Sequence, residues 1–245
     1  MPCINSRKCW SSMKKKLPVI MRQKEFEYGI GLLIFQQVFL PAILVFLFSL
    51  LSLTPAAAEL NGLYFFINFI SALIIFRNFL WEELGEAVEK PNLVFSSVAI
   101  AFGIYYILSS YLVYLIQWLD PEFFNLNDAS IGAMTESQFA LMAVSTVLLV
   151  PPAEELLFRG VLFNKIYEKK PVLAWILSVT LFSLVHIVGY IGEYSPLGFL
   201  LAFLQYLPAG IALCFAYVRA GTIFAPILLH TAINTIAIIL EFTMR

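Results

Sequence analysis

The chain has 245 residues, of which 61% are hydrophobic and only 13% are charged, and its mean hydropathy is +0.87. A soluble domain carries about twice that charged fraction, so the composition excludes an ordinary soluble protein and predicts a membrane protein with one compact domain. The net charge of −1 hides an asymmetry, because seven of the fifteen Lys and Arg residues lie among the first 24 residues. No folded basic surface accompanies this stretch, which argues against nucleic-acid binding and for a lipid-facing tail.

Residues 1–27 are therefore predicted to form a basic cytoplasmic tail, and residues 28–245 a transmembrane helical domain. Continuous apolar runs without strict alternation favour helices over a barrel. Each run approaches or exceeds the roughly 20 residues that cross the hydrocarbon. The predicted fold is all-α, a polytopic bundle with seven spans at about 29–54, 60–81, 93–118, 137–166, 171–190, 195–219 and 222–243.

Local patterns refine this scheme at three places. The acidic stretch at 81–90, WEELGEAVEK, predicts a solvated or interfacial helix. The tetrad at 135–138, Thr-Glu-Ser-Gln, is typical of a capping box and predicts the start of the fourth span. Pro151 and Pro152 lie inside that span, where we expect them to kink the helix and free backbone carbonyls.

The distribution of Lys and Arg predicts that the N-terminus is cytoplasmic. The segments around 55–59, 119–136 and 191–194 contain neither residue type. The basic residues that follow the tail lie on the other side, except Arg245 at the C-terminus and Arg159 inside the fourth span.

Ionisable groups inside apolar segments are the strongest functional signal in the chain. Glu154 and Glu155 are adjacent in VPPAEELLFRG, and the only two histidines, His186 and His230, lie in two other apolar segments. Because such groups are costly at membrane depth, they indicate function by default. With about 1.5 Å of rise per residue, the predicted spans place Glu154, both histidines and Asn234 near one level of the membrane.

Helical facing separates the two carboxylates. Glu155 and Arg159 are four residues apart, so they share a face and can pair, whereas Glu154 lies about 100° away around the helix. A carboxylate without a partner in a dry setting suits a general base. His230 and Asn234 also share a face, which presents an imidazole and an amide to a common point.

Taken together, these residues resemble the CAAX protease and bacteriocin-processing (Abi) family of intramembrane proteases, which includes the Rce1-type CAAX prenyl endopeptidases. The resemblance covers about residues 134–240, the expected catalytic core at about 134–243. Three motifs carry it in order: EExxxR as Glu154-Glu155-Leu156-Leu157-Phe158-Arg159, FxxxH as Phe182 to His186, and HxxxN as His230 to Asn234.

The resemblance implies a role for each of these residues. Glu154 with His186 would activate the water that attacks the scissile carbonyl, and His230 with Asn234 would donate hydrogen bonds to the oxyanion. Glu155 and Arg159 would balance the charge of the site, and Phe182 could fix the His186 imidazole. The implied substrate is a membrane-associated peptide or protein, prenylated or leader-containing, with membrane lipid as the surroundings. We expect a multi-pass protein of a bacterial plasma membrane.

Other interpretations fit parts of the same pattern. We expect no cofactor, but Glu154, His186 and His230 could instead ligate zinc, which would make the enzyme a metalloprotease. A non-catalytic protein, such as a bacteriocin-immunity or scaffold protein, would use these residues only as polar bridges between helices. A proton-coupled transporter is disfavoured, because the chain has no internal repeat of the type that many transporters carry.

Overall fold

A computed structural model describes residues 16–243 of the chain. Over this range the chain forms nine helices and no strand. In chain order they are α1 Gln23–Leu50, α2 Ala57–Ile75, α3 Arg77–Glu89, α4 Pro91–Leu119, α5 Leu126–Ser137, α6 Phe139–Tyr167, α7 Pro171–Val185, α8 Pro196–Ala220 and α9 Phe224–Thr243.

The predicted all-α membrane architecture is confirmed. Six of these helices, α1, α2, α4, α6, α8 and α9, are long and apolar enough to cross a membrane. The chain is therefore a multi-pass helical membrane protein. Helix α7 is apolar but has only 15 residues, so the predicted total of seven spans stays a prediction.

Helix α7 is shorter than the predicted span 171–190. It ends at Val185, and a short turn, Val188–Tyr190, follows. The Phe182 carbonyl lies 2.7 Å from Nδ1 of His186. The imidazole thus takes the carbonyl that the His186 amide would use in a continuing helix, and the Ile187 amide bonds to the Leu184 carbonyl, three residues back.

The predicted fourth span, 137–166, agrees with α6 to within two residues, but the capping box predicted at 135–138 is wrong. Thr135 lies within α5, where its hydroxyl donates to the Ile131 carbonyl (2.7 Å). Gln138 separates α5 from α6 with φ −144° and ψ 69°. The N-cap of α5 is Asn125, whose Oδ1 accepts the backbone N–H of Asn127 and of Asp128. The segment 119–136 therefore contains a helix of its own.

Helix α6 contains two π-helical stretches, Ser145–Leu149 and Leu156–Asn164, one on each side of the glutamate pair. The Val150 amide bonds to the Ser145 carbonyl, five residues back. In this register the next amide would come from Pro151, which has no N–H. The Thr146 carbonyl is therefore left for another donor, as the prolines predicted.

The segment that precedes α1 is packed against the bundle, contrary to the predicted tail 1–27. Residues 1–15 of that prediction lie outside the described range. Met21 is only 1% exposed, and its amide donates to Oδ1 of Asn164 (2.9 Å). Apolar side chains at 17, 19 and 21 are buried in the main core, so these residues of the predicted tail pack with the helical domain.

The acidic stretch 81–90 forms the second half of α3, and one of its glutamates is not solvated. Glu83 is fully buried, where it accepts hydrogen bonds from the Tyr217 hydroxyl (2.9 Å) and the Ile223 amide (2.8 Å). It lies one helical turn from the buried Phe79, whose amide donates to Oε1 of Glu25 (3.1 Å), so these two residues join α3 to α1, α8 and the start of α9.

Candidate active site

Glu154 lies where α6 borders the main cavity of the bundle. The cavity has a volume of about 580 Å³ and is also lined by His186, His230 and Asn234. Oε2 of Glu154 is buried and accepts no hydrogen bond from any described residue, while the side chain as a whole is 24% exposed. A buried carboxylate oxygen without a protein partner is costly, so this atom is available for a ligand or a water molecule.

The His186 imidazole is oriented by its own helix. Nδ1 lies 2.7 Å from the Phe182 carbonyl, and a carbonyl can only accept, so Nδ1 carries the hydrogen. Nε2 is then directed to Oε2 of Glu154 at 4.0 Å.

The His230 imidazole has the same orientation through a different partner. Its Nδ1 lies 2.8 Å from Oε1 of Glu155, and an ionised carboxylate can only accept, so Nδ1 again carries the hydrogen. Nε2 lies 4.0 Å from Oε2 of Glu154. Both Nε2 atoms thus face one carboxylate oxygen at the same distance.

The predicted pair of Glu155 and Arg159 is present and fully buried. Nη1 of Arg159 donates to Oε1 of Glu155 (2.9 Å), and Nη2 donates to the Gly210 carbonyl on α8 (3.2 Å). Glu155 therefore has two partners, Arg159 and His230, and the second was not predicted. The same acid that neutralises the arginine holds the second histidine in place.

Phe182 lies at the centre of this arrangement. Its ring is 4.4 Å from the Arg159 guanidinium carbon in a cation–π contact. The ring centroid is 4.7 Å from that of His186 and 5.9 Å from that of His230. Phe182 therefore supports both imidazoles, whereas the sequence predicted contact with His186 only.

The Asn234 side chain is held in place by a hydrogen bond to the backbone of α6. Its Nδ2 donates to the Thr146 carbonyl (2.8 Å), the acceptor that Pro151 leaves open. An amide nitrogen has two hydrogens, so one N–H remains for a group in the cavity.

Tyr206 is a member of the site that the sequence analysis missed. Its ring stacks on the His186 imidazole, with centroids 4.5 Å apart and planes 25° from parallel. Its hydroxyl donates to Oδ1 of Asp128 on α5 (2.7 Å) and accepts from Nδ2 of Asn127 (3.0 Å). No motif marks this tyrosine, because its role depends on where α5 and α8 meet.

The spacing of these atoms allows a water molecule to bridge them. A water can lie about 2.8 Å from both a carboxylate oxygen and an imidazole nitrogen when these are 4.0 Å apart. A tetrahedral zinc ion with bonds of about 2.0–2.1 Å would bring its ligand atoms to about 3.3 Å from one another. Within the described residues, no group of three His, Cys, Asp or Glu side chains is arranged to hold a metal.

Comparison with known proteins gives an independent view of the same region. A family model described as "Type II CAAX prenyl endopeptidase Rce1-like" matches residues 136–236, which contain all three motifs. None of the solved structures matches the chain significantly.

Two curated bacterial proteins are similar over most of their length. "UPF0177 protein YbdJ" of Lactococcus lactis subsp. lactis (strain IL1403) is 26% identical over 178 residues, covering 71% of this chain and 74% of that protein. "Putative membrane peptidase YdiL" of Bacillus subtilis (strain 168) is 25% identical over 192 residues, covering 74% of this chain and 72% of that protein. The resemblance predicted from the three motifs is thereby confirmed, because the Rce1-like family model matches the residues that contain all three of them.

Proposed function

We propose that this protein is an intramembrane endopeptidase that hydrolyses a peptide bond in a membrane-associated substrate with a water molecule activated by Glu154. The observation that carries the proposal is the position of Oε2 of Glu154. This unpartnered oxygen lies 4.0 Å from Nε2 of His186 and of His230, at the wall of a cavity of about 580 Å³. The Rce1-like match over residues 136–236 and the name of the Bacillus relative support a peptidase.

In the first step Glu154 takes a proton from the bound water, and the water oxygen attacks the scissile carbonyl carbon. Nε2 of His186 has no hydrogen in its neutral form, so it accepts a second hydrogen bond from the same water. Phe182 and Tyr206 hold that ring from two sides, which limits the loss of entropy when the water is positioned.

The attack places a negative charge on the carbonyl oxygen, which hydrogen-bond donors must stabilise. The second N–H of Asn234 is one donor. His230 can be the other when it is doubly protonated, because Nδ1 is occupied by Glu155 and Nε2–H then points into the cavity. That form also makes the formal charges of Glu154, Glu155, Arg159 and His230 sum to zero.

In the last step the C–N bond breaks and the leaving amine receives the proton that Glu154 took from the water. The carboxylate is thereby restored, and the products are a carboxylic acid and an amine. The protein needs no redox partner for this cycle. We expect no cofactor in it, and zinc is the alternative that remains to be tested.

The experiment compares wild type with Glu154→Gln, purified in detergent, on a panel of prenylated and unprenylated peptides. The amide keeps the size of the side chain but cannot take the proton, so we expect hydrolysis to fall by about 10²–10⁴-fold. Glu89→Gln, which changes an exposed glutamate on α3, is the matched control and should retain full activity. Hydrolysis that survives Glu154→Gln unchanged would exclude Glu154 as the base.

Two further outcomes separate the alternatives. Inhibition by a strong chelator that added zinc reverses would assign Glu154, His186 and His230 to a metal, whereas we expect no effect of the chelator. A biological activity retained in Glu154→Ala and His186→Ala variants would favour a non-catalytic immunity or scaffold protein.

A further inference from the structure

The two ends of the helix bundle differ in charge. The connections at one end, residues 51–56, 120–138 and 186–195, contain no Lys or Arg. At the other end lie the start of α1, helix α3, the α6–α7 connection at 168–170 and the end of α8, and these carry the basic side chains. We call the first the neutral end and the second the basic end. Basic connections remain in the cytoplasm, so the basic end is the cytoplasmic one.

The cavity at Glu154 extends to the neutral end. Its lining includes Asn61 in the first turns of α2, Ser130 and Gly132 on α5, and Tyr190 in the 186–195 connection. Glu241, two residues before the last described residue of α9, also lines it. Four of these positions lie in or next to connections without Lys or Arg, and Glu241 lies near the end of α9 on the same side, so the cavity reaches the neutral end.

The route from Glu154 to the basic end is filled by protein. Every residue of the π-helical stretch Leu156–Asn164 is buried. Phe158 and Phe163 in this stretch are 1% and 0% exposed, and Phe76 and Phe79 around α3 are 0% and 1% exposed. The bundle below the site is thus a packed core without room for a peptide.

Hydrogen bonds close the same end. Asn164 accepts the Met21 amide (2.9 Å) and donates to the Tyr217 hydroxyl (2.6 Å). The Tyr217 hydroxyl donates to Glu83 (2.9 Å), which also accepts the Ile223 amide (2.8 Å). This network joins the segment before α1 to α3, α6, α8 and the start of α9, and a substrate entering from the cytoplasm would have to break it.

We propose that the cavity is entered from the non-cytoplasmic face of the membrane and that its substrate is a membrane-adjacent peptide segment displayed on that face by an exported or membrane-anchored protein. A polypeptide that remains in the cytoplasm, prenylated or not, meets the sealed basic end. Hydrolysis of that segment rests on the proposed function, whereas the direction of access rests on charge and packing alone.

Access can be measured without a substrate, by labelling with a maleimide that does not cross membranes. The chain has three cysteines. Cys214 is fully buried, so Cys3→Ser with Cys9→Ser provides a background in which an introduced cysteine is the accessible one. Ser130→Cys places a thiol in the cavity lining, and Lys169→Cys places one in the exposed α6–α7 connection at the basic end.

We expect Ser130→Cys to be labelled in intact cells, and Lys169→Cys to be labelled only after the membrane is permeabilised. The reverse pattern would overturn the proposal. Glu193→Cys, in an exposed part of the 186–195 connection, reports the same face if Ser130→Cys fails to fold. Labelling of both variants in detergent is the control for reactivity.

A second measurement tests from which face of the membrane a peptide reaches the site and is hydrolysed. A membrane-impermeant peptide that the purified enzyme cleaves in detergent is offered to right-side-out and to inverted vesicles. We expect at least tenfold faster cleavage by right-side-out vesicles, and equal or faster cleavage by inverted vesicles would refute the proposal. If no peptide is cleaved in detergent, the peptidase function fails, while the labelling result still decides the direction of access.

Discussion

At the scale of single residues, the adjacent acids Glu154 and Glu155 have opposite environments. Both carboxylates leave Oε2 without a hydrogen-bond partner among the described residues. Glu155 is fully buried and its Oε1 is paired with both Arg159 and His230, whereas Glu154 is partly exposed and borders the cavity. Helical geometry alone produces this difference, because neighbouring residues point about 100° apart. Glu155 therefore holds other residues of the site in place, and Glu154 is the acid available to act as the general base.

The pair of Glu155 and Arg159 should contribute strongly to stability. Arg159→Met replaces the arginine with an apolar side chain of similar length. Glu155 is then a buried carboxylate without its cation. Breaking a buried pair in this way costs about 3–5 kcal/mol, so we expect a lower thermal midpoint in detergent, measured by circular dichroism.

A double variant serves as the control for this prediction. Glu155→Gln with Arg159→Met removes both charges of the buried pair, so its thermal midpoint should recover part of the loss. His230 then loses its carboxylate partner, and activity should stay low. A double variant no more stable than Arg159→Met would show that the ion pair is not the cause.

The pairing of Glu155 with Arg159 could be predicted from sequence because it depends on one helical period. The convergence of Glu154 with the two histidines could be predicted as well, since membrane depth follows from rise per residue. The hydrogen bond between His230 and Glu155 could not be predicted from the sequence. It depends on which face of α9 packs against α6, and no local sequence pattern determines that orientation.

At the scale of elements, α5 is attached beside the site through α8. The Tyr206 hydroxyl donates to Asp128 (2.7 Å), and Gln205 donates to the same carboxylate (3.3 Å). The Tyr206 ring stacks on His186 (4.5 Å). The position of α5 is therefore coupled to the orientation of a candidate catalytic histidine. Helix α5 was not predicted, because the tetrad 135–138 has the pattern of a helix start although it lies at a helix end.

Two substitutions separate the roles of Tyr206. Tyr206→Phe keeps the ring on His186 and removes the hydrogen bonds to α5, so we expect a raised KM with kcat within a few-fold of wild type. Tyr206→Leu removes the stacked ring as well, and kcat should fall about tenfold or more because the imidazole is no longer held. Peptide kinetics in detergent distinguish the two. Equal loss of kcat in both variants would show that the hydroxyl, and not the ring, positions His186.

At the scale of the whole molecule, the membrane architecture could be predicted because apolar length is a strong signal. The closure of the basic end could not be predicted in the same way. The stretch WEELGEAVEK is polar enough to suggest a solvated helix, yet Glu83 is fully buried in it. Its partners Tyr217 and Ile223 are more than 130 residues away in the chain, so only the folded bundle identifies the acid as part of the core.

Burial raises the pKa of Glu83 from 4.5 to about 7, although the hydrogen bonds from Ile223, Tyr217 and Thr222 favour the charged form. The unfolded chain releases this proton near pH 4.5 and the folded chain only near pH 7, so the unfolded state is favoured progressively between these values. The contribution of Glu83 to stability is therefore highest below pH 4.5, falls by about 3 kcal/mol up to pH 7, and is constant above it.

Glu83→Gln tests this directly, because the amide imitates the protonated acid and can still accept the Ile223 amide. We expect the variant to match wild type in thermal midpoint at pH 4.5, to exceed it at pH 8, and to lack the decline between them. Glu82→Gln, which changes the exposed neighbouring acid, should keep the wild-type decline. If Glu83→Gln declined with pH as steeply as wild type, the buried carboxyl would not be the titrating group.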